Sequence, residues 1–177
     1  MKKLIIAAAI ACVATISQAA TVNWTISGVK ADGGGAPTAG WAVMAFYTEV
    51  GAGSAAIESA ITSKTAASKA FETTTLAVSL SKGKVNAHDA TVAGITDTSK
   101  NYDFYFVVFN NSDAAAATEY AMVSALDQAY SSLDGNYSIS GTFSASTPWA
   151  SASVPEPTSG LLMLLGIAGL ALRRRRA

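Results

Sequence analysis

The sequence predicts a mainly β protein: an antiparallel β-sandwich-like domain with one or two short helices, flanked by a signal peptide and a C-terminal transmembrane helix. Three observations lead there. Several short segments alternate apolar and polar residues at period two, and only one stretch between them has helical spacing. An apolar run stands at each end of the chain, with lysines before the first and arginines after the second. Between them lie about 130 residues, enough for one compact domain and too few for two.

Lys2 and Lys3 precede the apolar run from Leu4 to Ile16, followed by Ser17-Gln18-Ala19-Ala20. This is the layout of a secretory signal peptide over residues 1–19, with small residues placing cleavage after Ala19, or after Ala20 one position on. The single cysteine, Cys12, lies inside that run, so the exported chain has no thiol and no disulfide. The exported domain is expected over residues 20–144. Val22, Trp24 and Ile26 alternate with polar residues up to Val29 and mark a strand with one buried face. Lys30 to Gly40, with Gly33-Gly34-Gly35 and Pro37, reads as a turn region. Trp41 to Val50 is apolar on both faces and reads as a central strand.

From Ser54 to about Ala70 the composition turns to Ala, Ser, Ile and Lys. There Ile57, Ala60 and Ile61 share one helical face, and Ser54 stands where an N-cap belongs. Leu76 to Leu80 alternates again, and Ser81 to Lys84 turns into a less regular segment through Val92. Tyr102 to Asn110 is dense in aromatic and β-branched residues and predicts the strand that crosses the middle of a sheet. Glu119 to Leu126 and Tyr137 to Ser144 complete six or seven strands, with a turn at Asp134-Gly135-Asn136. Residues 145–153, with Pro148, small hydroxyl residues and Trp149 as the only large side chain, have the composition of a linker.

Charge separates along the chain although the total is zero. Residues 20–154 carry six lysines, no arginine and eleven acids, a balance of −5, which makes nucleic acid an unsuitable partner. No catalytic, cofactor or metal site is expected in the domain. Gly51-Ala52-Gly53-Ser54-Ala55-Ala56 fits G-x-G-x-x-A between a strand and a helix, with Glu72 further on, but no second βαβ unit follows and a plain turn is expected. His88 adjoins Asp89, yet neighbours in a strand face opposite ways, and a surface or loop histidine is expected. Asp32, Asp97, Asp113, Asp127 and Asp134 fall in or near loops without the spacing of a calcium loop, so capping and solvation are their expected roles. Tyr102, Phe104, Tyr105, Phe106 and Phe109 could stack sugars on a sheet face, and core is the favoured reading.

The tail, 154–177, is the most specific stretch. Val154 precedes Pro155-Glu156-Pro157, an uncharged run follows from Gly160 to Leu172, and Arg173, Arg174, Arg175 and Arg176 stand before Ala177. As a helix the thirteen-residue run rises about 20 Å against a hydrocarbon core of about 30 Å, a short anchor that snorkelling arginines extend. The arginines set orientation and resist translocation, and the prolines force an extended tripeptide. The three parts together resemble the PEP-CTERM sorting signal of exported bacterial proteins. The resemblance implies recognition of Val154 to Pro157 by a membrane-embedded exosortase, cleavage near Pro-Glu-Pro, transient residence in the inner membrane, and release to the cell surface or extracellular matrix. The domain itself is expected to be non-catalytic and without cofactor, with extracellular polysaccharide as a candidate partner. A carbohydrate-binding or ice-binding module is the alternative, although Thr73-Thr74-Thr75 is an isolated cluster, and a secreted enzyme is the more distant one.

Overall fold

A computed structural model describes residues 19–152, so the leader up to residue 18 and the tail from residue 153 lie outside the described residues. Nine strands and one α-helix follow in order: β1 Ala20–Val29, β2 Ala42–Glu49, α1 Ala55–Thr62, β3 Glu72–Thr75, β4 Ala77–Ser79, β5 Lys82–Val92, β6 Tyr102–Phe109, β7 Glu119–Gln128, β8 Asn136–Thr142 and β9 Trp149–Ser151. They form a four-stranded sheet, β4-β5-β1-β8, facing a five-stranded sheet, β3-β2-β6-β7-β9.

Burial follows the alternation. Val22, Trp24 and Ile26 of β1 point between the sheets and are at most 1% exposed, and the Trp24 indole stacks on Phe106 with ring centroids 5.4 Å apart. Phe104, Phe106 and Val108 of β6 meet them from the other side, so each large side chain contributes about 1.5–3 kcal/mol of burial. All eight residues of β6 are buried, because the far face of its sheet is covered too. There Ile57 and Ile61 of α1 pack with Met44, Phe46, Tyr105 and Phe109, so the helix adds a third layer behind the five-stranded sheet. The expected helical face of Ile57, Ala60 and Ile61 is the buried one, but the helix stops at Thr62 and only a 3-10 turn, Ala66–Ser68, follows.

The fold is thus mainly β and antiparallel-rich, with three departures from the expected sandwich. β1 runs parallel to β8, with Trp24 beside Ile139, while pairing antiparallel with β5 on its other side. The segment expected as a strand over Leu76 to Leu80 keeps only the three residues of β4, which pair with β5, while the chain crosses between the sheets at the buried Leu76 and the preceding Glu72–Thr75 forms a separate strand, β3, on β2. Residues 145–153 are not wholly a linker, because Trp149–Ser151 forms an edge strand on β7 and Ala152 is fully buried. Three backbone pairings and one tryptophan suffice for an edge strand, and composition alone does not register them. Among the described residues no helix is long and apolar enough to cross a membrane; the expected transmembrane segment lies outside them.

One glycine governs how β1 ends. Gly28 has φ +77°, and a Cβ there would stand 2.3 Å from the Phe143 carbonyl oxygen. Only glycine permits both the left-handed backbone and that approach, and the bulge it makes shifts the register against β5.

Candidate functional site

The place where the folded body meets its C-terminal tail is built from backbone. β9 lies antiparallel on β7, pairing Trp149 with Ala121 and Ser151 with Glu119. One residue on, the Ala152 amide donates to the Thr118 carbonyl at 2.8 Å, and Asn110 braces that loop by accepting from the Thr118 and Glu119 amides, each at 3.1 Å. Lys64 reaches the same loop, its ammonium donating to the Ala117 carbonyl at 2.7 Å. Trp149 is half-buried, packs edge-on against Trp41 with centroids 5.6 Å apart, and donates through Nε1 to the Lys30 carbonyl at 3.2 Å. The Lys30 ammonium in turn donates to the Ser81 carbonyl at 2.7 Å, tying the tail-bearing edge to the β4–β5 turn.

The body therefore stays closed up to Ala152, three positions before Pro155. At the other terminus Ala20 opens β1, 4% exposed, with its amide donating to the Ile95 carbonyl at 3.0 Å. The expected leader junction, Ala19 and Ala20, coincides with the start of the folded body. Val154, Pro155, Glu156 and Pro157, and Arg173, Arg174, Arg175 and Arg176, lie outside the described residues.

The remaining candidates resolve into architecture. The Gly51 amide donates to Oδ2 of Asp103 at 3.0 Å, while Oδ1 of the same carboxylate accepts from the Asp127 amide at 2.8 Å. Asp103, 4% exposed, so fills the strand-to-helix turn where a phosphate-binding loop would need free amides, and it clamps the ends of β2 and β7. Sequence reasoning passed over it, although an acid inside the apolar run of β6 is itself a sign of a buried charge with assigned partners.

His88 is not a surface or loop residue. It sits half-buried in β5 opposite Trp24, with ring centroids 5.9 Å apart, because the bulge in β5 turns it inward. Asp89 faces out and accepts from the Asn23 amide group at 2.6 Å, so the neighbours point apart as the strand geometry requires. Asp97 accepts from the Ser99 hydroxyl at 2.6 Å and amide at 3.0 Å, and these bonds hold its carboxyl below the usual range, with Lys100 adding to the effect. Asp113 accepts from the Ala115 amide, Asp127 from Asn101 and Asp134 from Ser131. Among the described residues no group of three or more His, Cys, Asp or Glu side chains could hold a metal ion.

The aromatic residues of β6 are core, from Tyr102 at 7% exposed to Phe104 and Phe106 at zero. At the end remote from Ala152, Tyr137 packs against Tyr102, Phe104 and Tyr130 and donates its hydroxyl to the Lys100 carbonyl at 2.8 Å. Burial, then the neighbouring Tyr102, Asp97 and Tyr130, pushes that phenol up to about 12. Shallow clefts open among the described residues. One of about 250 Å³ beside Ile61 and Asp113 is lined largely by alanine, and one of about 310 Å³ adjoins Leu80 and Gly83.

Two packed sheets thus form a body that runs from Ala20 to Ala152, where the tail begins. Residues 153–176 match the family model of the PEP-CTERM protein-sorting motif, one residue earlier at each end than the tail was drawn from its composition. The chain therefore carries the mark of an exosortase substrate, which implies export, transient membrane anchoring and processing by a membrane enzyme. No curated protein and no solved structure matches the chain significantly.

Proposed function

We propose that this chain is an exosortase-processed surface or extracellular-matrix protein whose β-sandwich is non-catalytic cargo, with cleavage of the leader after Ala19. The observation that carries the reading is the sorting motif over residues 153–176, abutting a body that is already closed at Ala152. In support, the only histidine and its acidic neighbour point to opposite sides of β5, and the buried carboxylate of Asp103 is spent on two backbone amides.

The test is Glu156→Ala, expressed in a host that has an exosortase, with fractionation of membrane and medium. Pro155-Glu156-Pro157 acts as the address, so the variant should remain full-length in the membrane fraction while wild type is shortened and released. Neutral residues at Arg173 to Arg176 should instead weaken retention by removing charges that resist translocation. Normal release of the Glu156 variant, or full-length wild type in that host, would leave a permanent short anchor as the correct description.

Polysaccharide is the partner class favoured for the released domain, on one observation. The solvent face of the four-stranded sheet pairs Thr21 with Asn136, Asn23 with Ser138, Thr25 with Ser140 and Ser27 with Thr142, an uncharged run of hydroxyls and amides across β1 and β8. A glycan array probed with the released protein tests it, and no retention on any glycan would remove this reading without touching the sorting one. The ice-binding variant has less behind it, since Thr73 and Thr75 alone share a face of the four-residue β3.

A further inference from the structure

We propose, resting on the sorting reading above, that the end of the sandwich bearing the tail seats on an anionic lipid surface while the chain is anchored. The tip at which it touches the lipid is Leu80. This leucine and Leu133 are the two most exposed large apolar side chains among the described residues, at 94% and 97%. They lie at opposite ends of the sandwich. Leu133 stands in the β7–β8 turn beside Asp134, at the end where Asp127 stands one residue before Gln128 closes β7. Leu80 stands in the β4–β5 turn, where β4 pairs Ser79 with Lys82.

The turn holds Leu80 outward. Leu80 and Ser81 have φ of +49° and +60°, the left-handed pair of a primed hairpin turn, positions that normally take glycine, asparagine or aspartate. Leucine there gains nothing from the fold, because its side chain meets solvent. Lys82 and Lys84 flank it, and the Lys30 ammonium, bonded to the Ser81 carbonyl, adds a third cation at its base. An apolar tip ringed by cations suits the boundary between anionic head groups and acyl chains.

Charge and tether length point the same way. The tail-bearing end holds four of the domain's six lysines, Lys30, Lys64, Lys82 and Lys84, against Asp32, Asp113 and Glu119, whereas the remote end holds Glu49, Asp97, Asp127 and Asp134 against Lys100, with Glu58, Lys69, Glu72 and Asp89 assigned to neither end. A domain with an excess of acids thus turns its cations toward the tail. From Ala152 to the apolar run at Gly160 only residues 153–159 intervene, at most about 29 Å fully extended. The body cannot drift far from the head groups, and the Trp149–Lys30–Ser81 hydrogen bonds join the tether's root to the Leu80 turn.

The test uses the full chain with Cys12→Ser, so that Leu80→Cys or Leu133→Cys supplies the only thiol, in a host that exports it but has no exosortase. In spheroplasts, a membrane-impermeant maleimide should modify the Leu80 site at least about fivefold more slowly than the Leu133 site, on the scale of one lysine–lipid contact. The difference should vanish in detergent and largely disappear with Lys82→Gln and Lys84→Gln together. Reconstitution distinguishes lipid from a protein partner: protection should appear in vesicles of equal parts phosphatidylcholine and phosphatidylglycerol and be absent in phosphatidylcholine alone. Equal rates at the two sites in a membrane-bound chain would overturn the proposal and leave the sorting reading standing, as would protection that ignores the lysines or the vesicle charge. A chain recovered wholly in the soluble fraction would overturn both.

Discussion

Replacing Trp149 by alanine should destabilise the domain by about 3 kcal/mol, a large cost for a residue in a stretch with the composition of a linker. Its half-buried indole keeps roughly 100 Å² of apolar surface from water, worth about 2.5 kcal/mol. The edge contact with Trp41 adds about 0.5–1 kcal/mol. The hydrogen bond to the Lys30 carbonyl, long at 3.2 Å, adds about 0.5 kcal/mol at most. Partial filling of the vacated edge by water and by Trp41 returns some of that sum. With a urea m-value of about 1.5–3 kcal/mol/M, the midpoint should fall by about 1–2 M, followed by circular dichroism on residues 20–152. A chain ended at residue 145 loses all of β9 and the Ala152–Thr118 hydrogen bond, and should be damaged at least as much. A change below about 0.5 kcal/mol in both chains, the range of an ordinary surface substitution, would refute the reasoning and return 145–152 to the status of a spacer.

Asp103→Asn should cost about 2–4 kcal/mol by the same urea assay, since the amide can accept from only one of the Gly51 and Asp127 N–H groups and turns a donor toward the other. Gly28→Ala should lower Tm by about 8 °C or more in calorimetry, because the left-handed backbone and the Phe143 carbonyl both resist a Cβ. Tyr137 adds to the loss of stability at alkaline pH. Its phenol ionises near 10 in the unfolded chain and at about 12 in the folded one, so its contribution is complete below pH 10 and is lost as pH rises through 12. Tyr137→Phe should flatten that loss, read as the pH dependence of the urea midpoint.

What could be read in advance was whatever one strand determines by itself. β1 and β6 were legible because a buried face imposes alternation, and burial on both faces imposes an unbroken apolar run. The helix was legible from three residues, but its length was not, since propensity cannot say where packing against Met44 and Phe46 ends. The features that escaped depend on a partner distant in sequence. β9 is three residues whose only signal is Trp149, and its pairing with β7 is made by backbone groups that every sequence possesses. His88 turns inward because of a bulge opposite β1, which shifts the parity that alternation presumes. The parallel match of β1 with β8 leaves no trace in either segment alone. At the sorting junction the motif was readable from chemistry, whereas the absence of slack between body and motif required β9.

The position of β1 between β5 and β8 sets an order of events for a chain delivered N-terminus first. Thr21 emerges near the beginning and must wait for Asn136, near the end, before its second neighbour exists. Contacts so remote in sequence make folding slow and leave an early strand exposed while the rest of the polypeptide is threaded through. β9, which completes the other sheet, arrives later still, just ahead of the sorting motif at 153–176. The body thus reaches its final shape only when its last strand is free to pair with β7. The sorting motif follows directly on the strand that completes the body.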